Sequence, residues 1–240
     1  MISGTVVVSG TGTDIGKTVV TAAVAANARD VSVAVVKPGQ SGVVPGEPGD
    51  VDEVRRLSGV EDVHELARYR DPLSPEAGAQ REGRAPLTLD DVADAVRKTA
   101  GRCDLVLVEG SGGLLVRFGA WTVADLARAL DAPVLLVTTA STGTLNTTTL
   151  ALEALRRRDV ACAGVVVGAW PGEPDLVARS NLADLTAIAG EPLAGVLPDR
   201  AASAPCFRDI ARAGLGPRLG GYFDAGAFIR QHGDTRRTQL

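Results

Sequence analysis

The chain is poor in aromatic residues, with two Trp, two Tyr and four Phe among 240 residues. A core with so few rings must be filled by aliphatic side chains, and the 45% hydrophobic content, dominated by Ala, Val and Leu, supplies them. Only two histidines are present, His64 and His232, and three widely spaced cysteines, Cys103, Cys162 and Cys206. That is too little soft-ligand chemistry for a histidine-bound metal, and it gives no disulfide framework. Two of the cysteines lie beside apolar strand-like runs, so buried free thiols are expected. No segment reaches about 18 consecutive apolar residues, which excludes a transmembrane helix. The N-terminal MISGTVVVSG has no basic region, and its apolar run is too short for a secretory signal, so a cytoplasmic location is expected. Charge of one sign is also missing. A net charge of −4 argues against nucleic acid or an anionic membrane as partner, although two or three basic residues would suffice for an anionic substrate.

What is present is an alternation of β-branched runs with Ala/Leu segments of helical period. The strand expectations are Thr5–Ser9, Ser32–Lys37, Leu105–Glu109, Pro133–Thr138, Ala163–Gly168 and Leu193–Leu197. Helices are expected at Gly16–Arg29, Val51–Ser58, Leu89–Ala100, Val123–Leu130, Leu145–Arg158 and Leu176–Ala189. Strands this apolar, separated by helices, imply an α/β fold with a mainly parallel sheet covered on both faces. No repeat or linker divides the chain, so residues 1–240 are read as one domain. Residues 38–50, PGQSGVVPGEPGD, read as an extended loop, residues 68–87 as a surface excursion, and the polar tail His232–Leu240 as frayed.

The first strand runs directly into Gly10-Thr11-Gly12-Thr13-Asp14-Ile15-Gly16-Lys17-Thr18 and then a helix. A strand, a Gly-rich turn and a helix N-terminus together make a phosphate cradle, because backbone amides and the helix dipole converge on the anion. Lys17 is placed to reach the β- and γ-phosphates, and Thr18 to offer its hydroxyl to Mg²⁺. The loop holds one residue more between its outer glycines than the usual G-x-x-x-x-G-K-[ST]. The fold expectation is thereby P-loop nucleoside triphosphate hydrolase-like. The strand Leu105–Glu109 ends in an acid followed by Gly110, Ser111, Gly112 and Gly113. An acid at the carboxyl end of a parallel strand points into the crevice where open α/β sheets bind ligands.

Three segments together resemble the dethiobiotin synthetases: GTGTDIGKT, KPGQSG (Lys37–Gly42) and VEGSGGLLV (Glu109–Val116). That family shares the longer loop. TASTGTLNTTTLALEAL (Thr139–Leu155) and AGVVVGAWP (Ala163–Pro171) are also similar, so the likeness runs in order across residues 5–200. It implies an ATP-dependent ligase of biotin biosynthesis. The substrates would be 7,8-diaminononanoate, CO₂ and ATP with Mg²⁺, joined through a carbamate and a carbamic–phosphoric anhydride into the ureido ring of dethiobiotin.

Carried over by position, the resemblance makes Lys17, Lys37 and Thr13 catalytic. A carbamate and a triphosphate are both anionic, so bringing them together demands cations and oriented donors. Thr18, Asp50 and Glu109 match the Mg²⁺ set, with Asp52 and Glu53 close enough to Asp50 to leave the alignment open. The nucleotide would be held by Asp14, Ile15, Gly16, Lys17, Thr18, Val19, Asp50, Glu109, Gly110, Ser111 and Gly112. Its base would lie against Gly168, Ala169, Pro198, Asp199 and Arg200. Many relatives carry Asn-Asp where this chain has Gly168-Ala169, so a base-reading amide is missing. The diamine would touch Thr13 and Ser41. Its carboxylate would meet Gly143, Thr144, Leu145 and Asn146 at a helix start with good N-cap residues, and Asn181 from the other subunit of a homodimer.

A second reading is a partition- or positioning-type P-loop switch ATPase. Those proteins carry a lysine early in the loop, where this chain has Gly10-Thr11-Gly12-Thr13. An amidating ligase of the cobyrinate type would need a glutaminase domain for which 240 residues leave no room. An inactive paralogue would not be expected to keep Lys17, Thr18, Lys37 and Glu109.

Overall fold

The computed structural model describes residues 1–234; the rest of the tail read as frayed lies outside the described residues. In chain order the strands are β1 Gly4–Gly10, β2 Val33–Lys37, β3 Gln40–Ser41, β4 Val63–Glu65, β5 Arg68–Tyr69, β6 Leu105–Glu109, β7 Val134–Thr138, β8 Cys162–Trp170 and β9 Gly195–Pro198. The helices are α1 Lys17–Asn27, α2 Asp50–Ser58, α3 Pro75–Arg81, α4 Leu89–Ala100, α5 Val123–Ala129, α6 Thr144–Arg156, α7 Leu176–Ala189, α8 Phe207–Gly214 and α9 Ala225–His232.

Seven strands form one sheet in the order β4-β2-β6-β1-β7-β8-β9, and the pairings along it are parallel. Alternation along each strand divides the side chains between two cores. Val7, Val106, Leu136 and Val167 pack with α4, α5, α6 and α7, while Val6, Val8, Leu107 and Val166 pack with α1, α2 and α8. Full burial of each such Val or Leu stabilises by about 1.5–3 kcal/mol, so the sheet is a rigid base for whatever its loops carry. Because β1 sits between β6 and β7, the chain leaves it in one direction for β2 and returns past it to β7. That reversal opens a crevice at the carboxyl ends of these strands.

The expected strands and helices all form, with shifted ends, and several elements were not foreseen. β8 extends to Trp170 rather than stopping at Gly168. β4 is short and partly polar, and exists because it pairs beside β2. The supposed surface excursion 68–87 contains β5 and α3, and its Tyr69 and Ala79 form a small core of their own. The loop 38–50 contributes β3, which pairs with β5. His232 is not frayed: it closes α9, where its ring lies 4.4 Å from Phe228. The cysteines are unpaired, but Cys103 and Cys162 are half-buried and Cys206 is exposed, so the expectation of buried thiols is corrected.

Candidate active site

The phosphate loop owes its shape to two residues in the left-handed region, Asp14 at φ 56° and Gly16 at φ 92°. Gly16 is also the N-cap of α1 and offers no side-chain cap, so the helix's first amides keep their donors for a ligand. The loop leans on the end of β8 with no space to spare. A Cβ on Gly16 would stand 2.4 Å from the Gly168 carbonyl oxygen, and one on Gly168 would stand 2.2 Å from that of Ile15. Lys17 folds back so that its Nζ donates to the Gly12 carbonyl at 2.6 Å. Burial, and then the charge of Lys37, lower its pKa to about 8.

Strands β2 and β6 are neighbours, so their terminal residues meet. Lys37 Nζ donates to Glu109 Oε1 at 2.8 Å and to the Gly110 carbonyl at 3.3 Å, and lies 2.5 Å from Asp50 Oδ2 at the start of α2. The Lys37 and Glu109 side chains are 3% and 1% exposed. Burial opposes the ammonium charge, but Glu109 and Asp50 outweigh it and hold the Lys37 pKa above the ordinary lysine value. The Thr18 hydroxyl donates to the same Glu109 Oε1 at 2.8 Å.

The other carboxylate oxygen, Glu109 Oε2, is buried with no hydrogen-bond partner. Such an atom calls for a ligand. A hydroxyl and two carboxylates are hard oxygen donors of the kind Mg²⁺ takes while keeping waters and phosphate oxygens as its remaining ligands. Among the described residues no group of three or more His, Cys, Asp or Glu side chains forms a metal cage. The donor set fits an ion shared with a bound phosphate. Asp52 turns elsewhere: its carboxylate accepts the Gly49 amide at 2.9 Å and a bond from Arg55. Of the two acids, it is Asp50 and not Asp52 that stands beside Lys37.

These groups line a cleft of about 730 Å³. Thr13, Asp14, Gly16 and Val19 stand at its loop side, with Ser41, Ser111 and Gly112 nearby. Gly168, Ala169, Pro198 and Asp199 form the far end. Three expected nucleotide residues are not in the lining. Ile15 is turned into the core at 7% exposure, Gly110 meets the site through its carbonyl, and Arg200 lies beyond the edge, before a short 3-10 turn. Two features were missed. Pro72, Leu73, Ser74 and Pro75 build one wall, and Gln40 is a buried lining residue. Gln40 stood inside the KPGQSG segment without a role, and nothing local distinguishes it from a turn residue.

The segment Gly143–Asn146 does not line this cleft. The N-cap of helix α6 is Gly143, φ 89°, with no side-chain cap, which corrects the expectation of good N-cap residues there. The Thr144 hydroxyl is used internally, donating to the Thr139 carbonyl at 2.7 Å, and the Leu145 side chain packs on the core. Asn181 lies beneath the same loop. It is 7% exposed, and its amide donates to the carbonyls of Ala140, at 2.9 Å, and Ser141, at 3.3 Å, of its own chain. Its side chain is committed to supporting this loop from within.

Comparison with known proteins adds the chemistry. A family model described as an AAA domain matches residues 4–205. The ATP-dependent dethiobiotin synthetase BioD of Frankia casuarinae is 58% identical over 228 residues, spanning 92% of this chain and 96% of its own. That of Streptomyces coelicolor is 54% identical over 233 residues, spanning 95% and 98%. The chain belongs to the dethiobiotin synthetase family. Solved structures add the fold alone: the Pyrococcus furiosus cell division ATPase MinD aligns with a TM-score of 0.53 at 20% identity over 87% of each chain. A ParA family ATPase from Chlorobium tepidum gives 0.52 at 13% identity over 81% of this chain and 83% of its own. These two ATPases thus share the scaffold, while the synthetases share the sequence, and the synthetase reading stands over the switch-ATPase one. No helix among the described residues is long and apolar enough to cross a membrane.

Proposed function

We propose that this protein closes the ureido ring of dethiobiotin from 7,8-diaminononanoate, CO₂ and ATP. The observation that carries the reading is the buried cluster of Lys37, Glu109 and Asp50 beside the Lys17 loop, in a chain whose relatives bear that activity by name. In the first step one amine of the substrate adds to CO₂, forming a C–N bond and releasing a proton. A carbamate oxygen then attacks the γ-phosphorus, and the bond to the β-bridging oxygen breaks to release ADP. The second amine attacks the carbamoyl carbon, and the C–O bond breaks to release inorganic phosphate and a second proton.

Each step brings anions together or moves charge onto a leaving phosphate, so fixed cations do most of the work. Lys37 neutralises carbamate and γ-phosphate where they meet, and Lys17 covers the leaving side. Thr13 and Ser41 orient the diamine; the buried Ser41 hydroxyl has no partner within the protein, which leaves it available. Thr18, Glu109 and Asp50 would hold Mg²⁺, whose charge would screen the triphosphate. Free amides within Gly143–Asn146, where that of Thr144 already donates to the Ser141 carbonyl at 3.2 Å, receive the substrate carboxylate, at a site completed by the partner in a homodimer. This single-domain enzyme works in the cytoplasm.

Mass-spectrometric detection of dethiobiotin from diamine, bicarbonate and ATP tests the reading. Absence of product beside an active control enzyme sinks it, and hydrolysis stimulated by DNA or lipid would favour a switch ATPase instead. Sedimentation at micromolar concentration tests the dimer: a fully active monomer removes it.

A further inference from the structure

Gln40 is 5% exposed and lines the cleft, yet no step above uses it. Its side-chain oxygen accepts the Asp50 amide at 2.8 Å, and its nitrogen donates to the Ser41 carbonyl at 3.3 Å. A helix leaves its first amides unpaired, and an N-cap side chain usually takes one of them. The N-cap of α2 is Gly49, which has no side chain to offer. Gln40 therefore caps α2 from a separate strand, and the amide it takes belongs to the residue whose carboxylate lies 2.5 Å from Lys37.

The surroundings hold that geometry tightly. A Cβ on Gly49 would stand 3.0 Å from Gln40 Oε1 and 2.9 Å from Arg68 Nη2, so Gln40 and Arg68 pack closely over this backbone. Arg68 forks onto Glu65 at 2.6 and 2.8 Å, and donates to the carbonyls of Val44 and Glu47 at 3.2 and 2.5 Å. The Gly/Pro-rich loop is thus fastened to β5, and Gln40 fixes its last link, the backbone at Asp50.

We infer that Gln40 is a positioning residue for Asp50: by accepting the first amide of α2 it holds the Asp50 carboxylate in the Mg²⁺ site. The inference rests on the ATP- and Mg²⁺-dependent reading of the cleft. Without the acceptor the Asp50 amide loses its partner, and the helix start can tilt until water reaches it. Side chains that orient metal ligands in this way commonly change metal affinity by about 10–100-fold when removed.

The test uses the full chain and a non-hydrolysable ATP analogue, titrated calorimetrically with and without Mg²⁺. The readout is the factor by which Mg²⁺ tightens analogue binding. Gln40→Met, similar in shape but unable to accept strongly, should leave metal-free binding within about twofold while lowering that factor about tenfold. Gln40→Glu keeps an acceptor oxygen and should retain most of the factor. In an Asp50→Asn background, Gln40→Met should change it by less than about twofold, because the effect runs through Asp50. Wild-type coupling in Gln40→Met, an equal further loss in the Asp50→Asn background, or loss of coupling in Gln40→Glu would each overturn the inference. So would loss of metal-free binding in Gln40→Met, which would mark a general structural role. A wild-type chain whose binding ignores Mg²⁺ would instead overturn the reading of the cleft, and this inference with it.

Discussion

Two ionic clusters flank this side of the sheet, one where β2 and β6 end and one around the start of β4 and the loop before β6, and they differ in burial more than in contact length. At the carboxyl ends, Lys37 meets Asp50 at 2.5 Å and Glu109 at 2.8 Å, with the lysine 3% and the glutamate 1% exposed. At the other cluster, His64 within β4 meets Asp62 at 2.7 Å and Arg102 forks onto the same carboxylate, with side chains 38%, 29% and 50% exposed. Contacts of similar length have different consequences. In a buried setting each charge depends on its partner, because desolvation costs several kcal/mol per ion. At the surface water screens the pair, and it contributes little. The crevice forms where loops diverge at the carboxyl ends of the strands, so that cluster joins a buried Lys37–Glu109 pair to a half-buried Asp50 on a ligand-sized cleft.

The largest effect expected is at Lys37. Lys37→Ala should lower the rate by about 100–1,000-fold while nucleotide binding is nearly kept, since its charge is needed only where carbamate and γ-phosphate meet. It should also lower the stability of the ligand-free protein by about 3–5 kcal/mol, because Glu109 is left buried and unpaired. Single-turnover rates and urea unfolding measure both, and a near wild-type kcat would remove Lys37 from the chemistry. Lys17→Ala should differ by weakening triphosphate binding as well.

Next come the carboxylates. Glu109→Gln and Asp50→Asn should raise the Mg²⁺ requirement at least about tenfold in rate titrations, since each removes a charged oxygen donor. Asp52→Asn should not, because its carboxylate caps α2. A matching effect at Asp52 would mean that the loop rearranges around bound nucleotide.

A smaller effect is expected at the base end of the cleft, where glycine and backbone replace side chains. No side chain fits at position 168 while the phosphate loop stays in place, because a Cβ would stand 2.2 Å from the Ile15 oxygen. With no amide there to go unpaired against a wrong base, kcat/KM for the four common triphosphates should differ by less than about 100-fold. A wider preference for ATP would show that another group reads the base.

The smallest effect is at the Asp62 cluster. The hydrogen bond from Arg102 is the main cause that lowers the Asp62 pKa to about 2, against burial. A carboxylate depressed in the folded state stabilises above its unfolded pKa and loses that contribution as pH falls toward the folded one. Asp62→Asn should therefore shift the urea midpoint only slightly at pH 7, with the difference vanishing between about pH 4 and pH 2. A large shift would erase the contrast between the two clusters.

Much of this architecture was legible because strand and helix periods are local. The runs that became β1, β2, β6, β7 and β8 are apolar enough to identify alone, and the glycines before Lys17 mark the loop without tertiary help. The elements missed are those whose sequences have no period of their own. β4 depends on β2 for its pairing, and β5 and α3 depend on Tyr69 and Ala79 packing together. The positions of the site residues follow the same division. That Lys17 and Thr18 stand on the cleft was legible from spacing, whereas the carbonyl and amide partners of Asn181 and Gln40 are ones that only the fold brings near.

The sequence by itself determined which chemical groups are available and on which strand ends they sit: a phosphate loop after the first strand, a lysine after the second, and an acid closing the run at Glu109. Their meeting was decided by tertiary structure. Lys37 and Glu109 are 72 positions apart and touch because β2 and β6 are adjacent in the sheet and in register. That Asp50 rather than Asp52 stands beside Lys37 likewise depends on where α2 begins, with Gln40 accepting the Asp50 amide. Local propensity acts over a turn or two of chain, whereas a buried charge needs a partner whose position depends on strand order, register and the exclusion of water.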